Sequence, residues 1–205
     1  MDKQNLTPEE SLNIISKAIT NFKINYKESS KVFLLWGWIL TLASFSNFII
    51  LKILKSKEAY ELTVGNWELM GLFIIGNWVV FSIIGFIILF FMDRKIDKDK
   101  KVYSHLETYV KKLWTVAAAS FFIAFLLCIK LGITPPPIML LIAGIATTTS
   151  GLFINFRPMI IGGISFFIFS IATTFVSNEY IALIVGAAII CGYLIPGYLL
   201  KSAKE

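Results

Sequence analysis

Acid–base, nucleophilic and metal chemistry need ionisable or soft side chains held close together, and in this chain those side chains are scattered. The single histidine, His105, has Glu107 nearby but no Cys, Asp or Glu at the spacing a metal requires. Glu68, Asp93, Arg157 and Glu179 each stand at the border of an apolar block, within reach of water. Cys128 and Cys191 lie inside apolar blocks, where a thiol packs as a small hydrophobe, and no zinc or redox spacing surrounds them. No phosphate-cradling glycine loop, serine-hydrolase elbow or metalloprotease helix is present. The expectation is a protein without a catalytic set, cofactor or metal.

The remaining candidates are neutral and lie deep in apolar sequence: Asn47, Asn77, the run Thr147-Thr148-Thr149-Ser150, and Thr173-Thr174. A threonine hydroxyl can bond its own preceding carbonyl, so it signals little. An amide facing lipid would lack partners, which predicts that Asn47 and Asn77 turn inward and bond across helices. The sharper alternative is a route for a small molecule or ion lined by Asn47, Asn77 and the hydroxyl run. Arg157, followed by Pro158 in a tight turn, is a candidate contact for a phosphate or an acidic partner, beside plain anchoring at the membrane border.

The elements that must hold these residues are long apolar blocks. Of 205 residues, 57% are hydrophobic and 16% charged, against about 25% charged in a soluble domain. At ~1.5 Å rise per helical residue, ~20 apolar residues cross the ~30 Å hydrocarbon core of a bilayer. The pattern predicts an all-α integral membrane protein with six transmembrane helices, at 32–54, 67–92, 113–131, 138–155, 159–176 and 180–200. Pro135-Pro136-Pro137 separates the third and fourth, Phe156-Arg157-Pro158 the fourth and fifth, and Ser177-Asn178-Glu179 the last two. Small residues recur every four positions at Ala143, Thr147 and Gly151, at Ser120 and Ala124, and at Ala188 and Gly192. Such ridges let membrane helices approach closely, within one chain or between copies in a homo-oligomer. Leu141-Ile142-Ala143-Gly144-Ile145-Ala146 resembles Leu183-Ile184-Val185-Gly186-Ala187-Ala188 at an offset of 42 residues, compatible with a parallel repeat of helical hairpins.

Residues 1–31 read differently. Thr7, Pro8 and Glu10 form a capping box with proline at the first helical position. Leu12, Ile15, Ile19, Phe22 and Tyr26 recur at spacings of three and four, with Lys17, Lys23 and Lys27 mostly off that stripe. This predicts a cytoplasmic amphipathic helix before the first span, lying on the membrane surface or against the bundle, with self-association or docking of a soluble partner as the alternatives. No cleavage site follows the first apolar block, so that block is expected to be an uncleaved anchor.

Orientation follows from the basic residues. With the N-terminus inside, the inner segments carry 15 of the 19 Lys and Arg residues and the outer segments only Lys52, Lys55, Lys57 and Lys130. Both termini, including the tail 201–205, are expected in the cytoplasm. Trp36, Trp38, Trp67, Trp114, Tyr180 and Tyr198 fall near span ends, as interfacial aromatics do. The net charge of +6 is explained by this bias, and nothing suggests nucleic acid. The mixed-sign stretch 93–101 reads as a solvated loop that can continue the second span as a helix.

Three groups of residues run in order along most of the chain: Leu34-Leu35-Trp36-Gly37-Trp38, Phe156-Arg157-Pro158 with Ile160-Ile161-Gly162-Gly163, and Ile195-Pro196-Gly197-Tyr198-Leu199-Leu200. With Glu10-Ser11-Leu12 opening the first helix, the chain resembles a group of small, functionally uncharacterised bacterial multi-span inner-membrane proteins. The resemblance implies a multi-pass inner-membrane protein and supplies no catalytic residue. The expected function is a non-enzymatic membrane component engaging a cytoplasmic or membrane partner; the alternative is a small oligomeric transporter or channel.

Overall fold

A computed structural model describes residues 8–54, 67–99 and 105–202, with side chains at 30–54, 71–92, 94, 108–178 and 180–202. Every regular element among them is helical: α1 Pro8–Leu54, α2 Trp67–Asp99, α3 His105–Leu131, α4 Pro136–Phe153, α5 Arg157–Ala172, α6 Asn178–Ile189 and α7 Ile195–Ser202. A π-helical turn, Ile190–Leu194, joins α6 to α7. In hydrocarbon, backbone polar groups have no water to bond, so the apolar blocks must close their hydrogen bonds internally as helices.

Five stretches are long and apolar enough to cross a membrane: Ser30–Leu54, Gly71–Met92, Thr108–Leu131, Pro136–Phe153 and Tyr180–Ser202. The stretch expected at 159–176 forms α5, a shorter apolar helix of 16 residues. Several borders move. Pro136 and Pro137 do not precede α4 but form its first turn, where a missing N–H is harmless. The second span continues as helix to Asp99, and the third is entered from His105.

The largest difference lies at the start. A separate amphipathic helix was expected to end at residue 31, but α1 runs unbroken for 47 residues. Thr7 of the expected capping box falls outside the described residues.

Two chain reversals have readable causes. Gly132, at φ 65°, ends α3: its N–H donates to the Ile129 carbonyl at 3.4 Å and the Ile133 N–H to Cys128 at 3.0 Å. After α4, Asn155 takes the same left-handed conformation at φ 52°, which asparagine tolerates better than most residues. Its N–H donates to Leu152 at 3.2 Å and the Phe156 N–H to Gly151 at 2.9 Å. Phe156 is extended and caps α5, with Pro158 in the first turn.

Close contacts fix the arrangement. Helix α1 is the hub, packing on α2, α6, the π turn and α7. Along it, Leu34 lies beside Gly197, Gly37 beside Tyr193 and Leu194, and Ser44 beside Gly186, so α1 and α6–α7 run antiparallel. Helix α2 also runs antiparallel to α1, with Trp36 against Phe86 at one end (ring centroids 5.1 Å) and Ala43 and Ser46 beside Asn77 at the other. Helices α4 and α5 form the tightest pair. A Cβ on Gly151 would lie 2.8 Å from the Ile160 nitrogen, one on Gly144 3.1 Å from the Gly163 carbonyl, and one on Gly163 2.5 Å from the Thr148 nitrogen. Only glycine permits such backbone contact, which supplies dispersion energy where no hydrophobic drive separates protein from lipid. The ridge used is Gly144–Thr148–Gly151, one residue round from the Ala143–Thr147 row expected to make it. Ala143 and Thr147 are instead buried towards the core.

That core gathers Phe33, Leu140, Ala143, Met159, Phe166, Val185 and Tyr193 from α1, α4, α5, α6 and the π turn. Helix α2, by contrast, is almost wholly exposed beyond its strip on α1, with Leu72 and Phe91 at 67% and 65%. At its polar end the Arg94 guanidinium folds back over the Phe90 ring at 4.2 Å, as a charge does near the edge of an apolar zone.

Candidate functional site

The buried polar residues divide into three places. The first joins α1 to α2. The Asn77 amide donates to the Ala43 carbonyl at 2.9 Å and accepts from the Ser46 hydroxyl at 2.9 Å. Here the expectation of an inward, cross-helix amide holds. Asn47, one turn beyond Ala43, is buried at 7% exposure with its Oδ1 unpartnered. On another side of α1, Ser44 donates to the Ala182 carbonyl of α6, and the Thr41 hydroxyl is buried without a partner.

The second place is the α4–α5 contact, where the Thr148 hydroxyl is enclosed against Gly163 and unpartnered. Thr149 beside it is only partly buried.

The third place carries the densest assembly. Ser150 is buried and accepts from the Trp114 indole N–H at 3.1 Å, which ties α3 to α4. One turn away Thr147, fully buried, faces the Tyr193 side chain without reaching hydrogen-bond geometry. Around them the rings of Phe33, Trp114 and Tyr193 form a closed triangle, with centroids 5.8, 5.8 and 6.3 Å apart. Phe166 closes on Tyr193 at 4.8 Å. Rings at these separations touch each other, so the assembly is packed aromatic core and leaves no cage between its members.

Tyr193 is placed by the π turn. Pro196 has no N–H, so it can serve neither the Gly192 carbonyl four residues back nor the Cys191 carbonyl five back. The Ile195 N–H bonds Ile190, five residues before it, which opens the turn. Both carbonyls lie against Gly162 of α5: a Cβ there would stand 3.0 Å from the Gly192 oxygen and 3.3 Å from the Cys191 oxygen. The Cα–H groups of Gly162 are their neighbours. Gly192 in turn admits the Phe166 ring, since a Cβ would fall within it. Tyr193, Phe33 and Phe166 carry no distinguishing signal in the sequence. The signal for the π turn was present in Pro196, a proline inside an otherwise unbroken span.

The structure therefore brings Thr147 and Ser150 together with Trp114 and Tyr193, and leaves Thr148, Asn47 and Asn77 at other interfaces. Trp114, expected as an interfacial anchor, works inside the bundle. Trp38 is half exposed and donates to the Tyr198 hydroxyl at 3.0 Å. Arg157 is exposed as the first residue of α5. Thr115 and Ser120 donate to carbonyls four residues back in α3, and Thr173 and Thr174, just past the end of α5, to carbonyls three residues back in it. Both cysteines are free. Among the described residues, no three of His, Cys, Asp and Glu converge. Side chains of Asp93 and His105 lie outside the description. Ser44, Ser46, Asn77, Ser150 and Ser170 take part in hydrogen bonds that join helices.

Helices of spanning length packed through glycine and buried hydroxyls define a multi-pass membrane protein. No protein-family model, curated protein or solved structure matches the chain.

Proposed function

We propose that the chain is a non-enzymatic component of the cytoplasmic membrane, with six spans and both termini inside, that engages a cytoplasmic partner through the first part of α1. One observation carries this reading: the helix that opens before the apolar zone is the same helix that organises the bundle. Residues 8–29 and Ser30–Leu54 share one unbroken hydrogen-bonded rod, so a partner bound at the first part is mechanically joined to the second. The antiparallel contacts support the six-span count, because α5 runs from Gly151 at one end of α4 to Pro137 at the other, where Ser170 donates to the Pro137 carbonyl at 2.7 Å. Leu34 beside Gly197 supports termini on a common side, and the basic bias makes that side cytoplasmic.

The test is affinity purification from native membranes in mild detergent, with the full chain and a variant lacking residues 1–29. The shortened chain is expected to keep the thermal stability of the bundle and to lose its co-purifying cytoplasmic protein. If every partner stays bound to the shortened chain, the reading fails.

A further inference from the structure

Lys31 and Lys52 are both exposed on α1, and no charged residue stands between them. At ~1.5 Å per residue they lie roughly 32 Å apart along the axis, close to the ~30 Å of hydrocarbon in a bilayer. Lys31 therefore marks one border of the apolar zone. Helix α7 brings a second lysine to that border. A Cβ on Gly197 would stand 3.1 Å from the Leu34 side chain, and the two helices run antiparallel. Lys31 precedes Leu34 by about one turn and Lys201 follows Gly197 by about one turn. Both are thus displaced towards the same end, by roughly 4.5 and 6 Å. Lys201 is exposed as well.

Direction matters as much as depth. Lys31 precedes Trp38 by two turns of α1, which at about 100° per residue returns it to within about 20° of the same face. On α7, Lys201 lies about 40° round from Gly197, the residue turned to α1, and about 60° short of Tyr198. The Trp38 indole donates to the Tyr198 hydroxyl at 3.0 Å across the two helices. That bond fixes Trp38 and Tyr198 on one side of the seam, and the two lysines with them. The rest of the bundle lies on the other side, where Phe33 of α1 meets Trp114 and Pro196 of α7 meets Gly162. The lysine side is open. Trp38 and Tyr198 are 48% and 47% exposed, and Leu42, Phe45 and Ile49 continue that face along α1, all exposed.

Two ammonium groups at one depth on touching helices favour an anion between them. Among the residues with described side chains none is Asp or Glu. The Tyr198 oxygen accepts from the indole, which leaves its own O–H to donate outward at the same place. Two cations and a hydroxyl donor beside a strip of exposed apolar side chains match a phosphate diester that carries acyl chains. We infer that the α1–α7 seam holds an anionic phospholipid of the adjoining leaflet. Its phosphate sits between Lys31 and Lys201, the Tyr198 O–H donates to a phosphate or ester oxygen, and an acyl chain follows Leu42, Phe45 and Ile49. A zwitterionic lipid would bring its own ammonium among the lysines, so the site selects by net charge. Free phosphate would leave the apolar strip unused. The site requires only that α1 crosses a bilayer and is independent of any partner at residues 8–29.

Native mass spectrometry of the full chain in a neutral detergent provides the test, titrated with dioleoyl phosphatidylglycerol and with dioleoyl phosphatidylcholine. The first phosphatidylglycerol is expected to bind about tenfold or more tightly than the first phosphatidylcholine, the scale of two basic residues at an anionic headgroup. Lys31→Gln and Lys201→Gln should each lower that ratio roughly threefold, and together bring it to about one. Tyr198→Phe should weaken phosphatidylglycerol by about threefold or more, as loss of one hydrogen bond to a charged group does. Lys112→Gln and Arg157→Gln, exposed basic residues of other helices near the same end, should leave the ratio unchanged. The unfolding temperature of each variant without lipid is measured alongside, and the single lysine variants carry the test should the double variant not fold. Equal binding of the two lipids, an unaltered ratio in both single lysine variants, or an equal loss in Lys112→Gln and Arg157→Gln would each overturn the inference. Displacement of the lipid by millimolar inorganic phosphate would reveal a free-anion site and overturn it too.

Discussion

Glycine positions in this chain are not equivalent, and the difference is measurable. Gly163 has the Thr148 nitrogen 2.5 Å and the Thr148 Cα 2.8 Å from where a Cβ would stand, and both belong to backbone that cannot swing aside. Gly76 on α2 has nothing within 4 Å of the same point. Gly163→Ala should therefore force α4 and α5 apart and destabilise the bundle by about 1–3 kcal/mol, the usual penalty of overpacking. Gly76→Ala should leave stability unchanged or raise it slightly, since alanine favours helix by up to ~1 kcal/mol. Thermal unfolding of the two variants in one detergent checks the pair, and equal effects would refute the backbone-contact account. Sequence spacing did flag small residues on α4, but a shift of one position separates the ridge that meets α5 from the one that meets the core. That choice depends on where α5 lies.

Among the elements, the last span shows how a proline becomes a packing device. The π turn Ile190–Leu194 absorbs the donor missing at Pro196, turns Tyr193 into the aromatic core and sets α7 so that Leu34 meets Gly197. Pro196→Ala restores that N–H, so the turn can close to regular α-helix. The residues beyond it would then rotate by about 100°, one residue of helical register. A Leu34→Cys, Gly197→Cys pair is expected to form a disulfide readily in the otherwise unchanged chain and much more slowly once Pro196→Ala is added. Equal rates would show that the proline does not hold the turn. Helix α1 teaches a related lesson. Its stripe and apolar block could each be read from the sequence, but whether the helix breaks between them could not. No proline or glycine marks residues 26–33, and the structure continues through them as one helix.

For the whole molecule, the contacts place the apolar start of α1 and the end of α7 at one end of the bundle, along with Trp114, Ser150 and Ile160. Single cysteines at Lys98 and Lys201, with Cys128→Ala and Cys191→Ala, should react with a membrane-impermeant maleimide only after cells are opened. A cysteine at Lys57 should react in intact cells. Labelling of Lys201 from outside would refute the orientation drawn from the basic bias.

What the sequence determined by itself was the helical, membrane-crossing character of the chain and the near-absence of ionisable groups from its apolar blocks. Both follow from transfer energies that belong to each residue and add along the chain, whoever the neighbours are. Partnership was left to the tertiary structure, because distance in space is not a property of any single residue. It sent the Asn77 amide to Ala43 and Ser46, put Trp114 inside against Ser150, and closed Phe33, Trp114, Tyr193 and Phe166 into one core.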